Sequence, residues 1–329
     1  MGKFLLRRVI YLVLLTIVAS AVAYMLAATQ LNPRSKYDGR NPAPAVEVVD
    51  RQLDSLNMND KTPLLERFGT WASGVARGDF GKTIDGGSVN EEMGRRMWVS
   101  LRLMLIGSIL GTLLGVAAGA YGAIKQHQWS DRTLTVMAFV LLSVPTVVLA
   151  VLVKNAGIWF NQATGNAGTP ILFTTGEITP GLDTWSWVGL KDRAAHLVLP
   201  TIVLAMNALA FYSRYQRNSM LDVLGSDFLR TAQAKGLRRW KALTRHGLRT
   251  ALIPMATFFS YQFALIFVGA TFTEKIFGWH GMGEYFVDSI TKNDVNAVAG
   301  VTFFVAVLVL IAGLLSDIVY AALDPRVRV

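Results

Sequence analysis

LMLIGSILGTLLGVAAGAYGAI, residues 103–124, is a run of 22 residues without a charged side chain. An α-helix needs about 20 predominantly apolar residues to cross the hydrocarbon core of a bilayer. Glycine recurs at every fourth position of this run, at 107, 111, 115 and 119. Small residues at this spacing let two helix backbones approach closely inside a membrane. The run therefore predicts a transmembrane helix that is crowded along one face.

Five further charge-free runs meet the same length requirement: Val9–Ala28, Leu134–Val153, Leu197–Ser213, Ala251–Thr273 and Val295–Ser316. The composition agrees, since 52% of residues are hydrophobic and 16% are charged, with a mean hydropathy of +0.40. Soluble domains carry about 25% charged residues. We predict an all-α membrane protein with six transmembrane helices, the third of them kinked at Pro145 because proline removes a backbone hydrogen bond.

The distribution of basic residues predicts that both termini are cytoplasmic. With the N-terminus inside, the inside segments hold sixteen Lys and Arg, whereas the two short outside loops, 154–196 and 274–294, hold five. Loops rich in Lys and Arg stay in the cytoplasm. The net charge of +10 therefore follows from the topology, and no nucleic-acid partner is needed to explain it.

The predicted organisation has three parts: an N-terminal transmembrane helix in 1–28, an extracytoplasmic helical loop in 29–102, and a five-span core in 103–329. In the loop, Pro44–Leu56 and Pro63–Ala76 each begin with proline, which suits a first helical turn, and each places apolar residues at helical spacing. A packing lid over the bundle and a docking surface for an external partner both remain open as roles for this loop.

Several kinds of chemistry have no support in the sequence. Cysteine is absent, and no G-x-x-x-x-G-K-[ST] phosphate-binding loop occurs. The four histidines lie in loops or at the edges of the apolar runs without ligand spacing, and we interpret them as surface residues: His127, His196, His246 and His280. We expect no catalytic residue, no metal site and no cofactor in this chain.

The six apolar runs contain no Asp, Glu, Lys, Arg or His. Proton-coupled carriers and voltage sensors mark their pathways with such residues. The polar groups present are mild, and four residues of the fourth and fifth runs are candidates for lining a pathway: Asn207, Thr257, Tyr261 and Ala264. Thr257, Tyr261 and Ala264 share one helix face, although hydrogen bonds between helices would explain the polar residues equally well.

The segment 214–250 between the fourth and fifth runs is strongly basic and predicted to be cytoplasmic. Ser226 or Asp227 can cap a helix that begins at Phe228, and Gly236 can end it. Phe228, Leu229 and Ala232 would form the apolar face of this helix, and a second amphipathic stretch follows. An interfacial helix on anionic lipid is one interpretation. Small apolar residues favour the other, which is insertion into a protein groove.

Residues 227–254, DFLRTAQAKGLRRWKALTRHGLRTALIP, resemble the EAA loop of ABC importer permeases, in the form found in the oligopeptide/dipeptide class. GDFGKT at Gly78–Thr83, EKIFGWHGMGEYFVDSI at Glu274–Ile290 and LDPRVR at Leu323–Arg328 resemble the same class and occur in the expected order. The chain departs from the general motif at its start, where Glu-Ala-Ala is replaced by Arg230, Thr231 and Ala232.

The resemblance implies a permease subunit of an ATP-driven importer in the bacterial cytoplasmic (inner) membrane, forming half of a translocation pathway for peptides. It implies a homologous second permease, two ABC ATPase subunits or domains that bind ATP and Mg, and an extracytoplasmic substrate-binding protein. It also implies that the loop 227–248 contacts an ATPase through these residues: Asp227, Phe228, Arg230, Thr231, Ala232, Lys235, Gly236 and Leu237.

A stand-alone secondary transporter or channel is the alternative function. It would need a charge within the pathway or inverted repeats, and the sequence contains neither. A membrane-embedded enzyme would need catalytic side chains that converge within the spans, and the sequence offers none.

Overall fold

The computed structural model describes residues 2–166, 168–243 and 247–323, and within them the regular elements are helices. A 3-10 helix covers Pro33–Tyr37, and one isolated β-bridge joins Lys82 to Ser88. The α-helices are α1 (Gly2–Gln30), α2 (Val46–Ser55), α3 (Leu64–Val75), α4 (Val89–Ile124), α5 (Trp129–Ser143), α6 (Thr146–Ala163), α7 (Trp187–Leu224), α8 (Asp227–Ala234), α9 (Arg239–Ala242), α10 (Leu248–Phe277), α11 (Met282–Thr291) and α12 (Val295–Leu323).

Four of these helices are long and apolar enough to cross a membrane: α1 from Arg7 onward, α4, α7 and α12. α5 and α6 meet the same test as a pair, so the described residues provide four candidate spans, or five if the pair is one span. The predicted fifth run lies in α10, a helix of 30 residues. The all-α membrane fold is confirmed, whereas the count of six spans and their orientation stay predictions.

The third predicted run is broken rather than gently kinked. α5 ends at Ser143, Val144 is extended, and α6 begins after Pro145 with its axis turned by 109°. Proline lacks the N–H that would continue the helix, and it disfavours the helical conformation in the residue before it. The predicted kink at Pro145 is confirmed, and its size separates the run into two helices.

The chain divides into two compact units. The first unit comprises 101–279 and the chain from Ile311 onward, and the second unit comprises 2–100 and 280–310. α4 and α12 therefore contribute to both units, while α1 and the loop after it belong to the second. The three-part organisation expected from the sequence stays a prediction.

In the first unit, α4 packs its glycines against α7. A Cβ atom added at Gly111 would lie 2.7 Å from the carbonyl oxygen of Ala205, and one added at Gly119 would lie 2.3 Å from that of Ser213. Real side chains do not tolerate such distances, so only glycine lets the two backbones approach this closely. The crowding predicted for this helix is confirmed, and its neighbour is α7.

The second unit has its own apolar core. Tyr24 of α1 stacks on Trp71 of α3 with ring centroids 4.9 Å apart, and Leu53 of α2 is fully buried beside them. The start of α12 completes the cluster through Val295. The two helices predicted in the loop after the first span are both present, as α2 and α3.

Candidate functional site

The helix α8 is fixed to the first unit by one face. Leu229 is 2% exposed and belongs to a buried cluster with residues of α4, α7, α9, the position after α9, and α10: Ala123, Met220, Val223, Ala242, Leu243 and Ala251. Ala232 and Leu237 are partly buried against the same cluster. The inner face of α8 is therefore occupied by the core of its own chain.

The opposite face of α8 is exposed. Phe228 is 44% exposed, and the side chains of Asp227 and Arg230 are 96% and 76% exposed and form an ion pair at 3.7 Å. Thr231 and Lys235 are exposed as well. The single apolar face predicted for this helix is therefore split. Leu229 and Ala232, three residues apart, point inward together, while Phe228 lies on the outer side.

The ends of α8 follow from local chemistry. Gly236 adopts φ +88°, and Leu237 N–H donates to the carbonyl of Ala232 at 3.2 Å, so the helix stops where the sequence predicts. Ser226 occupies the N-cap position, but its hydroxyl donates to the carbonyl of Val223 at 2.6 Å instead of capping α8. The helix begins at Asp227, one residue before the predicted start.

The second amphipathic stretch of the loop is short. α9 has four residues, and residues 244–246 lie outside the described part of the chain. Leu243 is 5% exposed, whereas Trp240 is 66% exposed. After the loop, the guanidinium of Arg249 donates to the carbonyls of Ala322 and Leu323 at 3.0 and 3.1 Å. These bonds cap the C-terminal end of α12, where a cation is favoured.

A cavity of about 540 Å³ lies in the first unit among α5, α6, α7 and α10. Its walls are mainly apolar, and none of the described residues that line it is charged. Where the structure describes the lining, three polar side chains contribute to it: Thr146 of α6, Asn207 of α7 and Gln262 of α10. Pro145 also lies in the wall, so the break between α5 and α6 shapes the cavity.

Asn207 is the one predicted pathway residue whose side chain the structure describes. It lines the cavity, and its amide donates to the hydroxyl of Thr146 and to the carbonyl of Val203, both at 3.4 Å. The side chains of Thr257, Tyr261 and Ala264 lie outside the described residues. The sequence interpretation did not select Thr146 or Gln262. Gln262 could have been selected from the sequence, because its amide lies within a charge-free run.

His196 corrects the interpretation of the histidines as surface residues. It is 3% exposed, its ring stacks on Phe173 with centroids 4.0 Å apart, and its Nδ1 lies 2.9 Å from the carbonyl oxygen of Asp192. The loop before α7 covers this residue, which sequence position alone does not reveal. His127 and His280 are exposed as predicted, and His246 lies outside the described residues.

The long apolar helices and the uncharged cavity define a polytopic helical membrane protein. The model of one family, described as "Binding-protein-dependent transport system inner membrane component", matches residues 111–329. The chain belongs to this family. It is thus the inner-membrane permease component of an ABC transport system, and it is not itself an enzyme.

Three relatives illustrate the similarity. The chain is 50% identical over 330 residues to the oligopeptide transport system permease protein OppB of Mycobacterium tuberculosis, with 100% of both chains covered. It is 33% identical over 295 residues to the oligopeptide transport system permease protein AppB of Bacillus subtilis, covering 87% of each. It is 30% identical over 276 residues to the dipeptide transport system permease protein DppB of Escherichia coli, covering 81% of each.

Proposed function

We propose that this permease conducts peptides that an extracytoplasmic binding protein delivers, and that α8 couples it to a cytoplasmic ATPase. One observation carries the proposal: α7 is a single helix of 38 residues that lines the cavity with Asn207 and Phe211 and leads directly into α8. A displacement of α8 would therefore reach the cavity wall through one continuous element. The names of the relatives support peptides as the cargo.

The outer face of α8 suits a protein groove. Leu229 holds the helix on the buried cluster, so Phe228, Arg230 and Thr231 are presented on a fixed support. An aromatic side chain and an arginine are the residue types that most often dominate binding at interfaces. The proposed contact set is the one expected from the sequence, with Ala232 and Leu237 acting from the inner side by packing rather than by touching the partner.

The rest of the assembly follows from this placement. In the proposal, six spans place both termini and α8 in the cytoplasm, and a homologous second permease supplies the other half of the pathway. Two ATPase subunits or domains bind ATP and Mg on the cytoplasmic side. The loop 29–102 is on the opposite side, where the binding protein delivers its cargo.

The test is gentle purification of this chain from membranes, identification of every chain that accompanies it, and reconstitution of the complex in vesicles. We expect a second permease, ATPases and a binding protein, and uptake of labelled peptides that requires ATP and the binding protein. A pure preparation of this chain that moves solute without ATP would support the alternative of a stand-alone transporter.

A further inference from the structure

The side-chain amide of Gln262 in α10 has no hydrogen-bond partner among the described residues. Gln262 is 6% exposed and lines the cavity of the first unit. Within the part of the chain that the structure describes, its side chain makes no hydrogen bond. Asn207, in the same cavity, differs because it donates to Thr146 and Val203.

An unpaired amide at this position requires an explanation. Unlike the side-chain atoms of Gln216, which are fully enclosed, those of Gln262 line the cavity, and a polar group that is left there without a partner costs about 1–3 kcal/mol. Within a membrane, polar side chains that face a cavity mark pathways for solutes. Asn207 joins α6 to α7, which is a structural role, whereas Gln262 forms no hydrogen bond to another helix among the described residues. A molecule that occupies the cavity would supply the partner that Gln262 lacks.

The chemistry of the cavity defines what that molecule must offer. No described lining residue is charged, so ammonium and carboxylate groups find no opposite charge on that part of the wall. A primary amide presents both donors and an acceptor, and a peptide backbone presents the complementary N–H and C=O groups in every residue. Apolar walls, including Phe211, Leu265 and Phe272, can contact side chains of many kinds.

We propose that Gln262 contacts the cargo by hydrogen-bonding the backbone of a peptide as it passes through the cavity. This assignment rests on the proposed peptide-conducting function. A neutral contact to the backbone is independent of peptide sequence. It is also weak enough for release, which conduction requires.

Gln216 provides a matched control. It is a glutamine of α7 in the same unit, it is 0% exposed, and both polar atoms of its side chain lack a partner among the described residues. It does not line the cavity. The chain contains no cysteine, so Gln262→Cys and Gln216→Cys each introduce a single thiol into it.

The experiment uses the complete importer in vesicles, with a transported peptide that carries a maleimide group. The thiol adds across the maleimide double bond, and mass spectrometry of this chain reports the adduct. We expect labelling of Gln262→Cys that requires ATP and the binding protein and exceeds that of Gln216→Cys at least about tenfold. In parallel, Gln262→Leu should lower kcat/KM for peptide uptake by about 3- to 10-fold, the effect of losing one hydrogen bond, while Gln216→Leu should not.

Three outcomes would overturn the assignment. Equal labelling of the two cysteine variants, or labelling of Gln262→Cys without ATP or binding protein, would mean that the amide does not meet cargo in transit. Unchanged uptake by Gln262→Leu would mean the same. Failure of the unmodified importer to take up peptides would refute the proposed function itself, and with it this assignment. Normal uptake combined with a negative result for Gln262 refutes only the assignment.

Discussion

Arg217 of α7 binds Asp131 of α5 through two hydrogen bonds, Nε to Oδ1 at 2.6 Å and Nη2 to Oδ2 at 2.8 Å. The side chain of Asp131 is 4% exposed, whereas that of Arg217 is 24% exposed. The pair ties the start of α5 to the helix that carries both the cavity wall and the connection to α8. Bidentate pairs of this kind fix orientation as well as distance.

The two partners of this pair should respond unequally to removal. Arg217→Met would leave a carboxylate buried without its counter-charge, which costs about 3–5 kcal/mol. Asp131→Asn should cost less, because the guanidinium of Arg217 can still reach solvent. Thermal unfolding of the purified chain in detergent measures both variants and the double variant. Equal losses for the two single variants would contradict the described asymmetry of burial.

Glycine at position 119 should be required by packing. A Cβ atom there would lie 2.3 Å from the Ser213 carbonyl oxygen and 2.8 Å from Cβ of Gln216, so Gly119→Ala should destabilise the first unit by about 1–3 kcal/mol. Gly94, also in α4, is the matched control, since a Cβ atom there meets nothing within 4 Å. Gly94→Ala should stabilise the helix by about 0.5–1 kcal/mol. Equal unfolding midpoints for the two variants would refute the close contact between α4 and α7.

In the second unit, Asp85 should contribute stability that acid removes. Hydrogen bonds from Lys36 and Lys292, at 2.9 and 3.0 Å, hold the pKa of the Asp85 carboxyl below its ordinary value. A carboxyl whose pKa is lowered by folding stabilises above its unfolded pKa of about 3.9. That contribution disappears as the pH falls through the lower folded value. Because Asp85 is half exposed, it amounts to less than about 1 kcal/mol.

In the same unit, the contribution of Asp294 to stability changes with pH in the opposite direction. Burial raises the pKa of its carboxyl, although the backbone N–H groups of Ala297 and Ile84 donate to it. Its contribution to stability therefore grows as the pH falls towards its unfolded pKa. The acid loss in this unit is therefore assigned to Asp85. Asp85→Asn should lose less stability than the unmodified chain as the pH falls from 6 to 3 (a range of about 1 to 2 units around the unfolded value). Hydrogen exchange of α2 and α11 measures this loss. Parallel profiles for the two proteins would exclude the role assigned to Asp85.

The proposed topology can be tested with reporter fusions. Fusions at Arg40, Gly176 and Asn293 should report the outside, and fusions at Gln128 and Trp240 should report the cytoplasm. The expectation follows from the excess of Lys and Arg in the segments placed inside. Reversed reports at any two of these positions would overturn the six-span arrangement.

Local chemistry made part of this molecule predictable. The stop of α8 at Gly236 and the break at Pro145 depend on residues that act on their own backbone, so the sequence reveals them. Burial of His196 and the outward position of Phe228 depend on which elements pack together. Periodicity cannot supply that information in a helix of eight residues, because either side of so short a helix can face the core.

The difference between buried and exposed positions also determines which substitutions test the proposed coupling through α8. Ala232 is half-buried against the chain's own cluster, so a bulky residue there would disturb the first unit before it reached a partner. Phe228 and Arg230 are exposed, so their replacement by alanine should leave the fold intact. Loss of an interface residue of this type costs about 2 kcal/mol or more, which corresponds to about 30-fold or more in affinity.

The most direct measurement is the amount of peptide taken up per ATP hydrolysed by the complete importer in vesicles, for the unmodified chain and for Phe228→Ala. Arg238→Gln combined with Lys241→Gln serves as the control for a role of this loop on anionic lipid. If α8 couples the permease to an ATPase, Phe228→Ala loses ATPase association and coupled uptake while the double control retains both. Normal uptake per ATP in Phe228→Ala, together with its loss in the control, would contradict coupling through α8.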